Sequence, residues 1–157
     1  MTRTTMTTSL VSIAIFAATL SADAADLNAN FLTAASAGDV ARVEQLLADG
    51  ADVNTRDSSG NAALHYAAAF GFGDLAQTLV DAGADIDARS RIDNTPLHMA
   101  AQENHTNVAA ILISHGANVN ARNEFGGTAG SFASGWGHQD MVDQLQQAAQ
   151  PLLAFGF

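Results

Sequence analysis

The tripeptide Gly50-Ala51-Asp52 returns as Gly83-Ala84-Asp85 and again as Gly116-Ala117-Asn118, each time after 33 residues. A fixed period of that length marks a stacked repeat protein, in which one unit cannot bury its apolar face alone and neighbours supply the missing core. Other positions keep the same phase. Leu64-His65 recurs as Leu97-His98, and Leu46-Leu47 recurs as Leu79-Val80 and Leu112-Ile113.

Within one period the residues read as two short helices and a loop. Pro96 suits the first turn of a helix, where its missing N–H costs nothing, and Thr95 precedes it as the N-cap. Leu97, Ala100 and Ala101 follow with the three- and four-residue spacing of an apolar face, and the small alanines let neighbouring helices approach closely. Gly38 and Gly71 fall between the two helices, where a left-handed backbone is cheap only for glycine. Asn104 holds the same place in the third unit as the next most tolerant residue. The second helix turns Val108, Ile111 and Leu112 inward and stops at Gly116.

The stretch Thr95-Pro96-Leu97-His98-Met99-Ala100-Ala101, closed by Gly116-Ala117-Asn118-Val119-Asn120-Ala121, carries the full Thr-Pro-Leu-His-x-Ala signature, and in this the chain resembles the ankyrin-repeat family. The resemblance implies an all-α fold, a solenoid of stacked helix-turn-helix units with projecting β-hairpin loops. It gives units of about 28–57, 58–90, 91–123 and 124–150, followed by a tail at 151–157. The first unit has Phe31-Leu32 where the next two have Leu-His, as an N-terminal cap would. The fourth departs most: Ala129-Gly130-Ser131 replaces Pro-Leu-His, and Ala149 replaces the terminating glycine.

Ahead of the repeats, Arg3, an apolar stretch from Leu10 to Leu20 and then Ala22-Asp23-Ala24 have the layout of a secretory signal peptide. That stretch is shorter than the ~20 residues a membrane-spanning helix needs. Residues 1–24 are therefore expected to be removed, leaving a domain of 25–157 that begins at Ala25 and does not insert in a membrane. Losing Arg3 together with Asp23 leaves the net charge at −10. A surface this acidic repels nucleic-acid backbones and anionic headgroups, because affinity for them comes largely from cations. Although export favours disulfides, the chain has no cysteine, so stacking must supply the stability.

No catalytic constellation stands out, and the chain is expected to be no enzyme and to need no cofactor or metal. It has neither a Gly-x-Ser-x-Gly elbow nor a phosphate loop with its lysine. Asp85-Ile86-Asp87 lacks the further oxygen ligands of a calcium loop, and its counterparts Asp52-Val53-Asn54 and Asn118-Val119-Asn120 mark it as a hairpin element. Zinc would want three or four converging ligands, whereas the five histidines are scattered. His65 and His98 occupy the signature position, which implies hydrogen bonds within and between units. His105, His115 and His138 fall at turns and are expected to be exposed.

What remains is recognition of a protein. The resemblance implies that hairpin tips and the concave face of the first helices meet the partner. The tips carry Arg56, Ser58, Ser59 and Asn61, then Arg89, Arg91, Ile92 and Asn94, then Arg122, Glu124 and Phe125. Arg56, Arg89 and Arg122 recur every 33 residues and should form a ladder, open to a partner or to nearby Asp. The concave positions include Phe70, Gln102, Glu103 and Trp136, and the two aromatics there would either anchor an interface or pack locally under the next hairpin and against the last cap. The apolar segment Pro151-Leu152-Leu153-Ala154-Phe155-Gly156-Phe157 is expected to fold back over the end of the stack, or else to be read by another protein. The expectation is thus a monomeric, exported protein-binding module of the bacterial periplasm, with a secreted effector or inhibitor as one alternative and a metal-dependent or catalytic protein as the other.

Overall fold

The computed structural model describes residues 24–150. The expected signal segment up to residue 23, and the segment 151–157, lie outside the described residues.

Among the described residues eight helices form four pairs. They are α1 (24–37) with α2 (Val40–Ala48), α3 (Ala63–Phe70) with α4 (Gly73–Asp81), α5 (Pro96–Gln102) with α6 (Thr106–Ser114), and α7 (Ala129–Trp136) with α8 (Gln139–Ala149). The odd-numbered inner helices stack in one row, α3 on α5 on α7, and the outer helices α2, α4, α6 and α8 in a second. Helices this short are marginal alone, and packing an apolar face is what holds them. Leu64, Ala67 and Ala68 of α3 meet Leu97, Ala100 and Ala101 of α5 in one continuous core, which Leu75, Leu79, Val108 and Leu112 extend through the outer row. The fourth unit joins it through Ala129, Ala133, Met141 and Leu145.

Loops project between units as fingers. Each is closed at its base by a backbone bond, Asp57 N–H to Asn61, Ser90 to Asn94 and Asn123 to Gly127. Among the described residues the fingers are too short to form strands. Arg56 and Ala62 make one isolated antiparallel bridge.

The turn between paired helices needs a left-handed residue. Gly71 has φ +73°, and a Cβ there would come within 2.5 Å of the His105 ring. Backbone and neighbour therefore both demand glycine. Asn104 takes the same turn at φ 59° in the third unit, as its sequence position anticipates.

Candidate protein-binding face

The two signature histidines are spent on the fold. Nδ1 of His65 accepts the backbone N–H of Ala62 at 3.1 Å, at the start of its own helix. Because Nδ1 is an acceptor, the proton sits on Nε2, which donates to the carbonyl of Asn94 in the next finger at 3.0 Å. His98 repeats this with Thr95 N–H at 3.1 Å and the Gly127 carbonyl at 3.0 Å, and its ring meets Phe132 edge-on. Each imidazole thus caps one helix and ties down the following unit. Burial lowers the pKa of both, with Arg56 near His65 and Arg89 near His98 pushing the same way, while the carbonyl acceptors oppose it. Neutral, buried and doubly bonded, neither ring has a nitrogen left for a metal or a substrate.

His105 and His138 are corrections to the sequence reading. Neither is a freely exposed turn residue: both are half-buried, and they point backward along the stack. His105 Nε2 donates to the Ala69 carbonyl at 3.1 Å, and His138 Nε2 donates to that of Gln102 at 3.0 Å. His115 is exposed, as expected.

The arginine ladder exists, and its guanidinium groups are engaged within the chain. Arg56 donates to the Arg89 carbonyl, Arg89 to the Arg122 carbonyl at 2.7 Å, and Arg122 to the Gly126 carbonyl at 2.8 Å. Arg91 reaches back to the Ser58 carbonyl. Arg56 also stands 3.6 Å from the Asp85 carboxylate, with both side chains well exposed. Exposed pairs of this kind contribute little stability, but the carbonyl bonds orient each finger on the next. Asn94, read from the sequence as a tip residue, is buried at the finger base and accepts from Asn123 Nδ2 at 2.8 Å.

Asp57 is equally committed. Its carboxylate takes the Tyr66 hydroxyl at 2.6 Å and the backbone N–H groups of Ser59 at 2.7 Å and Asn61 at 2.9 Å. Desolvation pushes its pKa up, but these bonds outweigh it and hold the group below its ordinary 3.8. Donating to that carboxylate pushes Tyr66 up to about 12. The groove they line, with Leu32, Thr33 and Ser36, is an open concavity in which the Thr33 and Ser36 hydroxyls donate to carbonyls of their own helix. Among the described residues no three His, Asp or Glu side chains gather to hold a metal, and no helix is long and apolar enough to cross a membrane.

Against this hydrogen-bonded framework four large apolar side chains among the described residues stand out to solvent: Phe70 at 54%, Ile92 at 40%, Phe125 at 77% and Trp136 at 67% exposed. Phe70 and Trp136 end the inner helices α3 and α7, at equivalent places in units two and four. Glu103 holds that place in unit three, exposed, with Gln102 donating to it at 3.0 Å. Ile92 and Phe125 occupy successive fingertips. The sequence reading placed Phe70 and Trp136 on the concave face as candidate anchors and Ile92 and Phe125 only at fingertips. Its eight partner-contact residues now divide, with Phe70, Trp136, Gln102 and Glu103 on the inner-helix ends and Arg56, Arg89, Arg91 and Arg122 in the carbonyl ladder.

A family model described as ankyrin repeats in three copies matches residues 9–90. A single ankyrin-repeat model matches residues 93–124. Comparison with curated proteins gives no match. Repeats of this kind are protein–protein interaction modules. With the paired helices, the histidine ties and over half of its length matched, the chain belongs to the ankyrin-repeat family.

Proposed function

We propose that the chain is a non-enzymatic module that binds a protein partner across its fingertips and inner-helix ends, and that it does so in the bacterial periplasm. One observation carries the binding face. Phe70, Ile92, Phe125 and Trp136 all lie at fingertips or inner-helix ends, and no comparably exposed large apolar residue sits on an outer helix among the described residues. Aromatic side chains are the usual anchors of interface energy, and exposing them to water without a partner is unfavourable. The arginines support the fingers that present these anchors, so their role is to position the face.

Export is supported by the basic start, the apolar stretch and Ala22-Asp23-Ala24. N-terminal sequencing should find Ala25 or a neighbour as the first residue of the periplasmic protein. An intact Met1 on protein left inside the cell would remove the location, and recovery from the medium would favour the effector alternative.

The binding face is tested by a photo-reactive residue placed at Phe125 or Trp136, with Gln77 on an outer helix as the control. Crosslinks from envelope extract should form at the first two and be absent at the control. Adducts arising equally at Gln77, or at none of the three, would sink the proposed face.

A further inference from the structure

The last described unit leaves a face open that the preceding units do not. Ala101 of α5 and Ala109 of α6 are fully buried because unit four packs on them. Their counterparts Ser134 and Val142, 33 residues on, are exposed and half-buried. Together with Val119, Leu145 and Ala149 they line a groove of about 230 Å³. That is more than the roughly 150 Å³ of an apolar cavity that admits benzene. Its polarity is divided. Ser134 and Gln146 have replaced the alanine and the Ile113 or Val80 of earlier units, yet along α8 Val142, Leu145 and Ala149 remain an apolar strip.

We infer that this groove is the docking site for the chain's own segment 151–157, with Leu152, Leu153, Phe155 and Phe157 supplying the side chains that cover it. Four large apolar residues in seven make a segment that water does not favour exposing. It begins at the groove's rim, since Ala149 is both the last residue of α8 and part of the lining. Gln150 has already left the helix in an extended conformation, at φ −73° and ψ 121°, as the residue before proline must. From Ala149 back to Val142 the helix rises about 10 Å at 1.5 Å per residue. Six extended residues span about 20 Å, so the segment can turn and still run the length of the strip.

Register favours this path over a continued loop ladder. Asn54 and Asp87 each accept a backbone N–H from the following loop, that of Asp85 at 2.8 Å and Asn118 at 3.0 Å, 31 residues on in both cases. Their counterpart Asn120 lines the groove, and the residue 31 positions on is Pro151, which has no N–H to give. Pro151 cannot make the equivalent bond, which favours a different path across the end. Tethering next to the groove gives the segment a high effective concentration over any separate competitor.

The chain has no cysteine, so an introduced pair gives an unambiguous test. In the full chain, Val142→Cys combined with Phe155→Cys should close an intramolecular disulfide under mild oxidation, since the bond forms only when the two Cα atoms come within about 7 Å. Gln147→Cys with Phe155→Cys, on the solvated side of the same helix, should remain reduced. Replacing Leu152, Leu153, Phe155 and Phe157 together by Ser should speed hydrogen exchange of the α8 amides by about tenfold or more, with α3 and α4 unaffected, because repeat units open from their ends. Equal crosslinking at Val142 and Gln147, or unchanged α8 exchange, would overturn the proposal. Disulfide-linked dimers in place of the intramolecular bond would overturn it too, and would assign the groove to a second copy.

Discussion

The interface between units two and three and the outer boundary of unit four are built from the same positions with different residues. In the interior, His65 caps α3 with one ring nitrogen and holds the next finger with the other. At the corresponding place in unit four, Ser131 keeps only the local half: its hydroxyl accepts the Thr128 N–H at 2.8 Å, and Thr128 returns the bond at 3.2 Å. Among the described residues no following finger stands there for a longer side chain to reach. The signature histidine thus has two separable tasks, one within a unit and one between units, and Ser131 performs only the first.

Glycine turns sharpen the contrast most. Gly71 and Gly137 share nearly the same left-handed backbone, φ +73° and +75°, but a Cβ meets His105 at 2.5 Å in the first and nothing within 4 Å in the second. Gly137→Ala should cost only the left-handed penalty of about 1–2 kcal/mol. Gly71→Ala should add about 1–3 kcal/mol for overpacking, as His105 is driven off the Ala69 carbonyl. Urea unfolding of both variants measures the difference directly. Equal losses would show that the backward contact of His105 contributes nothing.

A smaller gap separates the two capping residues. His98→Ala should lower stability by about 1–3 kcal/mol, because it leaves Thr95 N–H and the Gly127 carbonyl without their partner. Ser131→Ala loses a local bond only and should cost about 0.5–1.5 kcal/mol. His98→Ser, which makes the interior imitate the end, should fall between them. If His98→Ala proved as mild as Ser131→Ala, the tie between units would carry no weight. If it abolished crosslinking at Phe125 while leaving stability intact, His98 would belong to the binding face.

Acid should find the same distinction. His65 and His98 have folded pKa values below their ordinary 6.5, so below that pH the unfolded chain binds more protons than the folded one. Stability is then complete above about pH 6.5 and declines as the pH falls through that value toward the lowered folded pKa. Asp57, also lowered, adds a separate loss only below its ordinary 3.8. The fall in Tm between pH 7.5 and 5 should shrink in a His65→Ser, His98→Ser double variant. An unchanged fall would mean that these rings are not the acid-sensitive groups.

The period, the helix pairs and the exposed aromatics were legible in the sequence because each depends on residues at fixed spacing or on one side chain's own chemistry. Thr95-Pro96 and Gly71 announce a helix start and a left-handed turn locally. His105 and His138 were misread because their partners lie 36 residues back, outside the unit that the period defines. Asn94 was misread for a related reason. Its place in the loop suggests a tip, while the bond to Asn123 that holds it at the finger base exists only once the next finger, 29 residues on, is in place. Arg56 and Arg89 were recognised as a ladder, but only the stacked fingers show which carbonyls they take.

Finger bases reverse the comparison, and here the end is better satisfied than the interior. Between units three and four, Asn123 Nδ2 donates to Asn94 Oδ1 at 2.8 Å while its own Oδ1 takes the N–H groups of Phe125 at 3.0 Å and Gly127 at 2.8 Å. Between units two and three the residue at Asn123's place is Ser90. Its hydroxyl accepts the Asn94 N–H at 3.2 Å, but the buried Asn61 Oδ1 is left with no partner. Ser90→Asn should restore the missing donor and keep the existing bond, since an asparagine oxygen does both at Asn123. A satisfied buried bond contributes about 0.5–1.5 kcal/mol, so the variant should raise the urea midpoint with no change in m-value. The gain should vanish in an Asn61→Ala background, where the new amide has no acceptor. A gain that persisted there would come from some other effect of the asparagine, and loss of stability would mean that the interior finger has no room for the longer side chain.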